Sequence, residues 1–416
     1  MATVAETSRP AGPQLASWQT PAVIIVSGCL IAMLSFGPRS ALGQFLMPMS
    51  VDQHWDRNVF SLALAIQNIL WGAGQPFAGA LADKFGAVRV LSAGAILYAL
   101  GLWLMATSTS PAMLDLGAGV LIGFGLAGCS FSLVIGAFGK LVPDSWRMFA
   151  FGAGTAAGSF GQFLFSPAAV GLINGVGWQS ALITFGALLL LILPLSLALS
   201  SRGNAAVTAG VKQQSAKQAI TEAFGHRSFV LLVLGFFTCG FQLAFITVHL
   251  PTYLVDRGLD AAAGAWTIGT IGAFNIVGSI LAGWFSSRMP KRYILAFIYF
   301  ARALAIVAFI TLPASNLSAI LFGAFTGLLW LSTVPPTNGL VLVMFGTRWL
   351  TMLSGAAFFS HQVGGFLGVW LGGEIFTRTG SYDAVWWLAV LFGVLSALIN
   401  LPIVEKPVAR LAAQPA

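Results

Sequence analysis

The feature that most constrains this chain is a series of apolar stretches, each long enough to cross a lipid bilayer. A transmembrane helix needs about 20 mainly apolar residues. Twelve stretches meet that requirement, over residues 21–49, 58–82, 88–107, 112–138, 147–173, 178–199, 228–254, 263–287, 293–312, 316–343, 350–376 and 383–403. Only 8% of the residues are charged, whereas roughly a quarter are charged in soluble domains. The sequence therefore predicts an all-α membrane protein with twelve transmembrane helices.

The basic residues are unevenly distributed between alternate loops. When both termini are placed in the cytoplasm, fifteen lysines and arginines fall on that side and three on the other, namely Arg57, Arg257 and Arg378. Such a bias is the positive-inside signature of membrane proteins. We therefore expect a multi-pass protein of the cell (inner) membrane with both termini cytoplasmic. The net charge of +8 is explained by this cytoplasmic excess of basic residues, and we therefore expect no nucleic-acid partner.

The two halves of the chain resemble each other at an offset of 203 to 204 residues, as a duplication would leave them. The matched pairs are Gly37 and Gly240, Pro48 and Pro251, Gly74 and Gly278, Gly79 and Gly283, Gly152 and Gly355, Gly161 and Gly364, and Gly177 and Gly380. We predict six-helix bundles over residues 21–199 and 228–403, a cytoplasmic linker over 200–227, and cytoplasmic tails over 1–20 and 404–416. A repeat of six helices is typical of alternating-access carriers.

The turn after the second helix reads Gly-Ala-Leu-Ala-Asp-Lys-Phe-Gly-Ala-Val-Arg over residues 79–89. It resembles the loop between helices two and three of the major facilitator superfamily, whose fold has two six-helix bundles. The resemblance implies that Asp83, Lys84 and Arg89 form a cytoplasmic charge network that stabilises one conformation. A merely solvated loop is the alternative, and it explains the basic residues but not Asp83 and Gly86. We expect a monomer as the transport unit.

A second resemblance rests on residues 36–40, Phe-Gly-Pro-Arg-Ser, and on a glycine–proline turn in the second helix. These segments are similar to the monocarboxylate transporter family, including its bacterial members. In that family a basic residue before the serine contributes to binding the substrate carboxylate, which implies this role for Arg39. The family's proton-coupling pair of aspartate and arginine in helix eight is replaced here by Asn275 and Ser279. The resemblance implies an organic-anion substrate without the usual coupling pair.

Arg39 is also a candidate on the residues alone. An ionised arginine inside a bilayer is costly unless it faces a partner or a wet cavity, and all twelve carboxylates lie in loops, tails or helix ends. A cationic centre without a counterion favours an anionic ligand, because a guanidinium binds a carboxylate through two parallel hydrogen bonds. The alternatives are that Arg39 reaches the outer headgroups or pairs with Asp52, Asp56 or Asp115.

Other polar residues in the predicted spans complete the candidate binding site. They are Gln242, Asn275, Ser279, His361 and Gln362. Gln242 is the repeat counterpart of Arg39. Because histidine changes charge near physiological pH, His361 is also the candidate for carrying a coupled proton; a neutral core histidine is the alternative. For Arg302 a structural role with backbone carbonyls is favoured over substrate contact, since by resemblance its helix is peripheral in the fold.

These observations predict a secondary active transporter of small organic anions, monocarboxylates in particular, with proton symport or anion exchange. Its expected partners are the substrate, the lipid bilayer and, in the case of symport, protons. The sequence contains no nucleotide-binding loop, catalytic pair or metal-ligand cluster, so it predicts no enzyme, cofactor or metal. An efflux carrier of drug-like solutes is one alternative, although it normally needs a buried acid. A non-transporting membrane sensor is the other.

Overall fold

The structure, a computed structural model, describes residues 16–200, 215–346 and 349–409. Its first half comprises α1 (Pro21–Ala41), α2 (Leu46–Gln53), α3 (Arg57–Phe85), α4 (Ala87–Ala106), α5 (Pro111–Leu114), α6 (Ile122–Gly128), α7 (Phe131–Leu141), α8 (Asp144–Val176), α9 (Trp178–Leu189) and α10 (Ile192–Ser196). Its second half comprises α11 (Ala216–Gly225), α12 (Arg227–Asp256), α13 (Ala261–Ser286), α14 (Lys291–Thr311), α15 (Asn316–Leu329), α16 (Val334–Phe345), α17 (Leu350–Thr379) and α18 (Asp383–Asn400).

The helices make twelve crossings in two bundles of six. Four crossings are built from more than one helix: α1 with α2, α5 to α7, α9 with α10, and α15 with α16. Ten of the crossings are long and apolar enough to span a membrane by length and composition alone. The other two are α3 and α17, which carry more polar residues and pack against each other between the bundles. The predicted all-α fold of twelve transmembrane helices is confirmed.

The predicted linker and tails fall partly outside the described residues, which exclude 1–15, 201–214 and 410–416. The described end of the linker forms the short helix α11, which begins with a reciprocal capping box between Ser215 and Gln218. The segment after α18 lies along the second bundle. There the Val404 N–H donates to the Ser228 hydroxyl at 3.0 Å, and the Val408 N–H donates to a backbone carbonyl of α16.

Helix ends and close contacts repeat between the halves. Gly177 and Gly380, which are 203 residues apart, end α8 and α17 with φ of 84° and 71°. A positive φ is readily adopted only by glycine. A side chain at Gly161 would clash with a carbonyl of α1, and one at its counterpart Gly364 would clash with a carbonyl of α12. Small residues therefore let equivalent helices approach closely in both bundles.

The fourth and tenth crossings are interrupted at equivalent points. In the fourth, α6 ends at Gly128 and α7 begins at Phe131. In the tenth, α15 ends at Leu329 and α16 begins at Val334. The starts of α7 and α16 are thus separated by the repeat offset of 203 residues. Interrupted helices at corresponding positions of two halves are typical of the binding region of carriers.

The two bundles meet where α3 packs on α17 and α8 packs on α13. We call the side where α1 begins and α18 ends the tail side, and the opposite side the far side. Near the far side Gly373 packs on Ser61, and at mid-depth Gly272 packs on the Ser159 carbonyl. The repeat-matched glycines toward the tail-side ends of these helices are Gly79, Gly152, Gly283 and Gly355. A Cβ added at any of them would meet no atom within 4 Å. The bundles are therefore in close contact on the far side, whereas these four tail-side glycines face open space within the described structure.

Candidate functional site

Arg39 lies in the last turn of α1 and contacts side chains of α3. Its Nη2 donates to the Asn68 Oδ1 at 2.8 Å, while the Asn68 Nδ2 donates to the Leu64 carbonyl at 2.8 Å. The guanidinium also lies 4.7 Å from the centroid of the Trp71 ring, in a cation–π contact. Among the described residues no carboxylate bonds to Arg39. Asp52, one of the predicted alternative partners, instead accepts a hydrogen bond from the Trp178 indole N–H at the start of α9. The positive charge of Arg39 is therefore not neutralised within the described structure.

Several hydrogen-bond donors on Arg39 and on other helices of the first bundle are buried and have no partner in the described part of the chain. They are the Arg39 Nε, the Trp71 Nε1, the Tyr98 hydroxyl and the Ser130 hydroxyl. Tyr98 lies within electrostatic range of Arg39, and Ser130 lies in the break between α6 and α7. An unsatisfied buried donor costs roughly 1–3 kcal/mol. A ligand with acceptor oxygens would relieve that cost at this position.

His361 and Gln362 of α17 approach the Arg39 cluster from the other bundle. The Gln362 Nε2 donates to the Asn68 carbonyl at 3.2 Å, which directs its Oε1 toward His361. Because an amide oxygen only accepts, the His361 Nδ1–H donates to that oxygen at 2.9 Å. The His361 ring also stacks on Phe358, whose ring packs edge-on against Trp71. The structure thus brings together Arg39, His361 and Gln362 from the predicted set.

Gln242, Asn275 and Ser279 lie away from this cluster. Gln242 of α12 is 1% exposed and donates to the Ala389 carbonyl of α18 at 2.9 Å, so it packs inside the second bundle. Asn275 of α13 accepts from the Ser279 hydroxyl at 3.2 Å and donates to the hydroxyl of Ser159 in α8 at 2.9 Å. The structure therefore separates these three residues from Arg39.

Side chains of neighbouring helices hold the break between α15 and α16. The Arg302 Nη2 donates to the carbonyls of Leu329 and Trp330. The Asn275 Oδ1 accepts from the Leu331 N–H at 2.9 Å. Arg302 is 2% exposed, and its Nη1 also contacts the Cys239 thiol at 3.4 Å. The backbone groups that a continuous helix would satisfy internally are therefore satisfied by Arg302 and Asn275.

The repeat relates the two arginine clusters. At an offset of 204, Arg302 corresponds to Tyr98 and Asn275 corresponds to Trp71, so the residues that hold the second break are the counterparts of those around Arg39. Gln242, the counterpart of Arg39, borders the same packed region as Arg302. The two halves thus contain one equivalent cluster each. Only the second has its arginine bonded to backbone carbonyls, which leaves the Arg39 cluster available to a ligand.

A salt bridge closes the far side between the bundles. Arg57 at the start of α3 bonds to both carboxylate oxygens of Asp256 at the end of α12, at 2.5 and 2.8 Å. The Arg57 Nη1 also donates to the Tyr382 hydroxyl at 3.1 Å. Burial raises the pKa of Tyr382 to about 12, so its hydroxyl keeps its proton. The His249 Nε2–H donates to a backbone carbonyl, which leaves its Nδ1 to accept from Tyr382.

The predicted charge network on the tail side is only partly described. The side chain of Asp83 lies outside the described residues. Lys84 has its Nζ 5.1 Å from the Phe85 ring centroid, and the Arg89 Nη1 lies 3.4 Å from the Phe85 carbonyl. The network of Asp83, Lys84 and Arg89 therefore stays a prediction.

Comparison with known proteins identifies the family. The sequence model of the Major Facilitator Superfamily matches residues 28–369. The chain is 29% identical over 399 residues to an uncharacterized MFS-type transporter, YcxA, of Bacillus subtilis (strain 168), covering 91% of this chain and 94% of that protein. It is 26% identical over 401 residues to monocarboxylate transporter 11 of Homo sapiens, covering 91% of this chain and 82% of the relative.

Solved structures share the fold. A bacterial homolog of the human lysosomal transporter Spinster, in an inward-facing and unoccupied conformation, superposes with a TM-score of 0.76 at 16% identity, covering 93% of this chain and 97% of the other. A D-xylose–proton symporter superposes with a TM-score of 0.70 at 17% identity, covering 94% and 98%. The match to the family sequence model extends over most of the chain. The chain therefore belongs to the major facilitator superfamily and is a multi-pass membrane transporter, not an enzyme.

Proposed function

We propose that this transporter is a secondary active carrier of small monocarboxylates. The observation that carries the proposal is Arg39, a cation that has no carboxylate partner in the described structure and whose own Nε, like the Nε1 of the neighbouring Trp71, is an unsatisfied donor. A carboxylate matches that arrangement, since it pairs with a guanidinium through two charge-assisted hydrogen bonds and accepts further ones. Relatives named monocarboxylate transporters, 26% identical or less, support the same substrate class.

In the proposed site the substrate carboxylate binds Arg39, with Tyr98 and Trp71 as further donors, while His361 and Gln362 close the site from the second bundle. Gln242, Asn275 and Ser279 then serve as packing and hydrogen-bonding residues within the scaffold. We place the tail side in the cytoplasm because of the positive-inside bias. In this proposal the far side, held closed by the Arg57–Asp256 pair, faces outward, and transport requires that pair to break.

Transport in proteoliposomes tests this proposal. The purified full chain should take up a radiolabelled small monocarboxylate in a saturable manner, and unlabelled monocarboxylates should compete. Protein-free liposomes are the control for leakage. Uptake of hydrophobic cations without any carboxylate flux would contradict the proposal and favour a carrier of drug-like solutes. The absence of flux for both classes of solute would favour a non-transporting membrane sensor.

We further propose that His361 carries a coupled proton during symport. Replacing it with glutamine keeps a hydrogen-bonding side chain but removes the imidazole ring that would carry the proton. The His361→Gln variant should therefore retain substrate binding while its initial uptake rate loses its dependence on external pH. His226→Gln is a matched control, since that histidine packs against Phe345 at the tail-side end of α12. Unchanged pH dependence in His361→Gln would indicate anion exchange or a different proton carrier.

Breaking the far-side salt bridge should shift the carrier toward its outward-open state. Asp256→Asn removes the partner of Arg57, and a partly exposed pair of this kind contributes about 1 kcal/mol, or roughly fivefold in population. Ser61 is buried against Gly373, so a cysteine at this position reports opening of the far side. The Ser61→Cys substitution is made in a background in which the native cysteines are replaced by alanine. Labelling of this cysteine by a membrane-impermeant maleimide should become about fivefold faster.

Arg378→Gln is the matched control for this experiment. It removes a second far-side ion pair, with Glu374, that lies within α17. It leaves in place the hydrogen bond that Glu374 accepts from Asn58 of α3 across the bundles. Faster labelling in both variants would mean that a general loosening of the far side, and not the loss of a lock between the bundles, exposes the reporter.

A further inference from the structure

We propose that a tail-side cavity between the α13–α14 turn and the segment after α18 binds the phosphate of an anionic phospholipid. The cavity has a volume of about 540 Å³. Its polar lining comes from two short stretches of chain that are distant in sequence. The polar and charged residues that define the site are Ser286, Arg288, Lys291, Arg292, Glu405 and Lys406. The cavity is separate from the Arg39 cluster and takes no part in the carboxylate site proposed above.

The charges that line the cavity are unbalanced. Glu405 is its one carboxylate within the described residues, and it is already engaged: it accepts the Arg292 N–H at 2.9 Å and lies 3.7 Å from the Lys291 Nζ. Arg288 and Lys406 form no ion pair with any described residue. The cavity therefore has a surplus of positive charge, which favours an anionic ligand.

Two donors in the lining are buried without a partner in the described part of the chain. They are the Ser286 hydroxyl and the Arg292 Nε. The other Arg292 nitrogens are occupied, because Nη1 donates to the Ile403 carbonyl at 3.1 Å and Nη2 to the Tyr293 hydroxyl at 3.0 Å. A phosphate offers several acceptor oxygens and binds arginine strongly. A phosphate would accept hydrogen bonds from both donors and would also neutralise the surplus positive charge.

The surroundings of the cavity indicate that the phosphate belongs to a lipid. Large side chains at its edge remain exposed: Trp284 by 50%, Met289 by 48% and Tyr293 by 46%. The Arg288 guanidinium lies 4.0 Å from the centroid of the Trp284 ring. Tryptophan and tyrosine are enriched at the level of lipid headgroups, and basic pockets at membrane surfaces bind anionic headgroups. A soluble phosphate needs the cations but not this apolar rim.

Thermal stabilisation of the full chain in a non-ionic detergent tests the site. Because a ligand that binds the folded state raises its stability, phosphatidylglycerol should raise the melting temperature more than phosphatidylcholine at equal concentration. The double variant Arg288→Gln, Lys406→Gln should bind phosphatidylglycerol about thirtyfold more weakly, at roughly fivefold per basic residue. Lys217→Gln, an exposed basic position in α11, is the matched control and should bind as the wild type does.

Each other outcome overturns the proposal. Equal stabilisation by the two lipids would show no preference for an anionic headgroup, and an unchanged affinity in the double variant would place the lipid elsewhere. Full stabilisation by inorganic phosphate alone would identify a soluble ligand. Since Arg288 and Lys406 are both exposed, the double variant should melt at the wild-type temperature without lipid, which separates loss of binding from loss of fold.

Discussion

Replacing Arg39 with glutamine is expected to reduce monocarboxylate uptake about a hundredfold and to leave the protein folded. Two charge-assisted hydrogen bonds to a substrate carboxylate contribute roughly 3 kcal/mol, which is about a factor of a hundred. The protein itself depends little on this side chain, since its one hydrogen bond within the described structure is to Asn68. Arg39→Gln should therefore melt close to the wild-type temperature while failing to transport.

A graded variant sharpens this test. Arg39→Lys keeps the positive charge but loses the planar fork that binds both carboxylate oxygens, so we expect an intermediate loss of about tenfold. Arg257→Gln is the control arginine, because it lies on the far side over the Tyr253 ring. Near-normal uptake by Arg39→Gln would remove Arg39 from the substrate site and contradict the proposed function.

The sequence was sufficient to predict the crossings but not their interruptions. A length of about 20 apolar residues is the dominant requirement of a spanning helix, so even the more polar α3 and α17 were recognisable. The breaks before Phe131 and Val334 lie inside spans that hydropathy predicts as continuous, although the proline pair that follows Val334 is a helix-start signal. A break within an apolar stretch leaves no hydropathy signal, and its stability depends on contacts from other helices such as that of Arg302.

The candidate site was predictable only in part. Arg39, His361 and Gln362 were predictable because each is a polar residue at mid-membrane depth, and the structure places them together. Gln242 was expected opposite Arg39 because their positions correspond in the repeat, but correspondence does not place two side chains in one cavity, and Gln242 faces α18. Tyr98 was missed altogether. The signal that points to it is its correspondence to Arg302 at the offset of 204 residues, which marks both as members of equivalent clusters.

Replacing Arg302 with methionine is expected to have the opposite consequence to replacing Arg39: it should destabilise the fold. Methionine fills a similar volume but leaves the carbonyls of Leu329 and Trp330 unpaired. Each buried, unsatisfied carbonyl costs roughly 1–3 kcal/mol, and a typical folded protein is stable by only about 5–15 kcal/mol. We expect a markedly lower melting temperature and a reduced yield of monodisperse protein in size-exclusion chromatography.

Two further variants show which contact of Arg302 matters. Arg302→Lys still donates to one of the carbonyls and should be intermediate in stability. Cys239→Ala removes the remaining hydrogen bond of Arg302, at 3.4 Å, and the contact of the thiol with the Thr333 hydroxyl. It exposes no carbonyl, so it should change the melting temperature little. If Arg302→Met instead melted like the wild type but lost transport, Arg302 would belong to the substrate site. The repeat would then contain two ligand-binding arginines, one in each half, instead of one that binds the substrate and one that holds a broken helix.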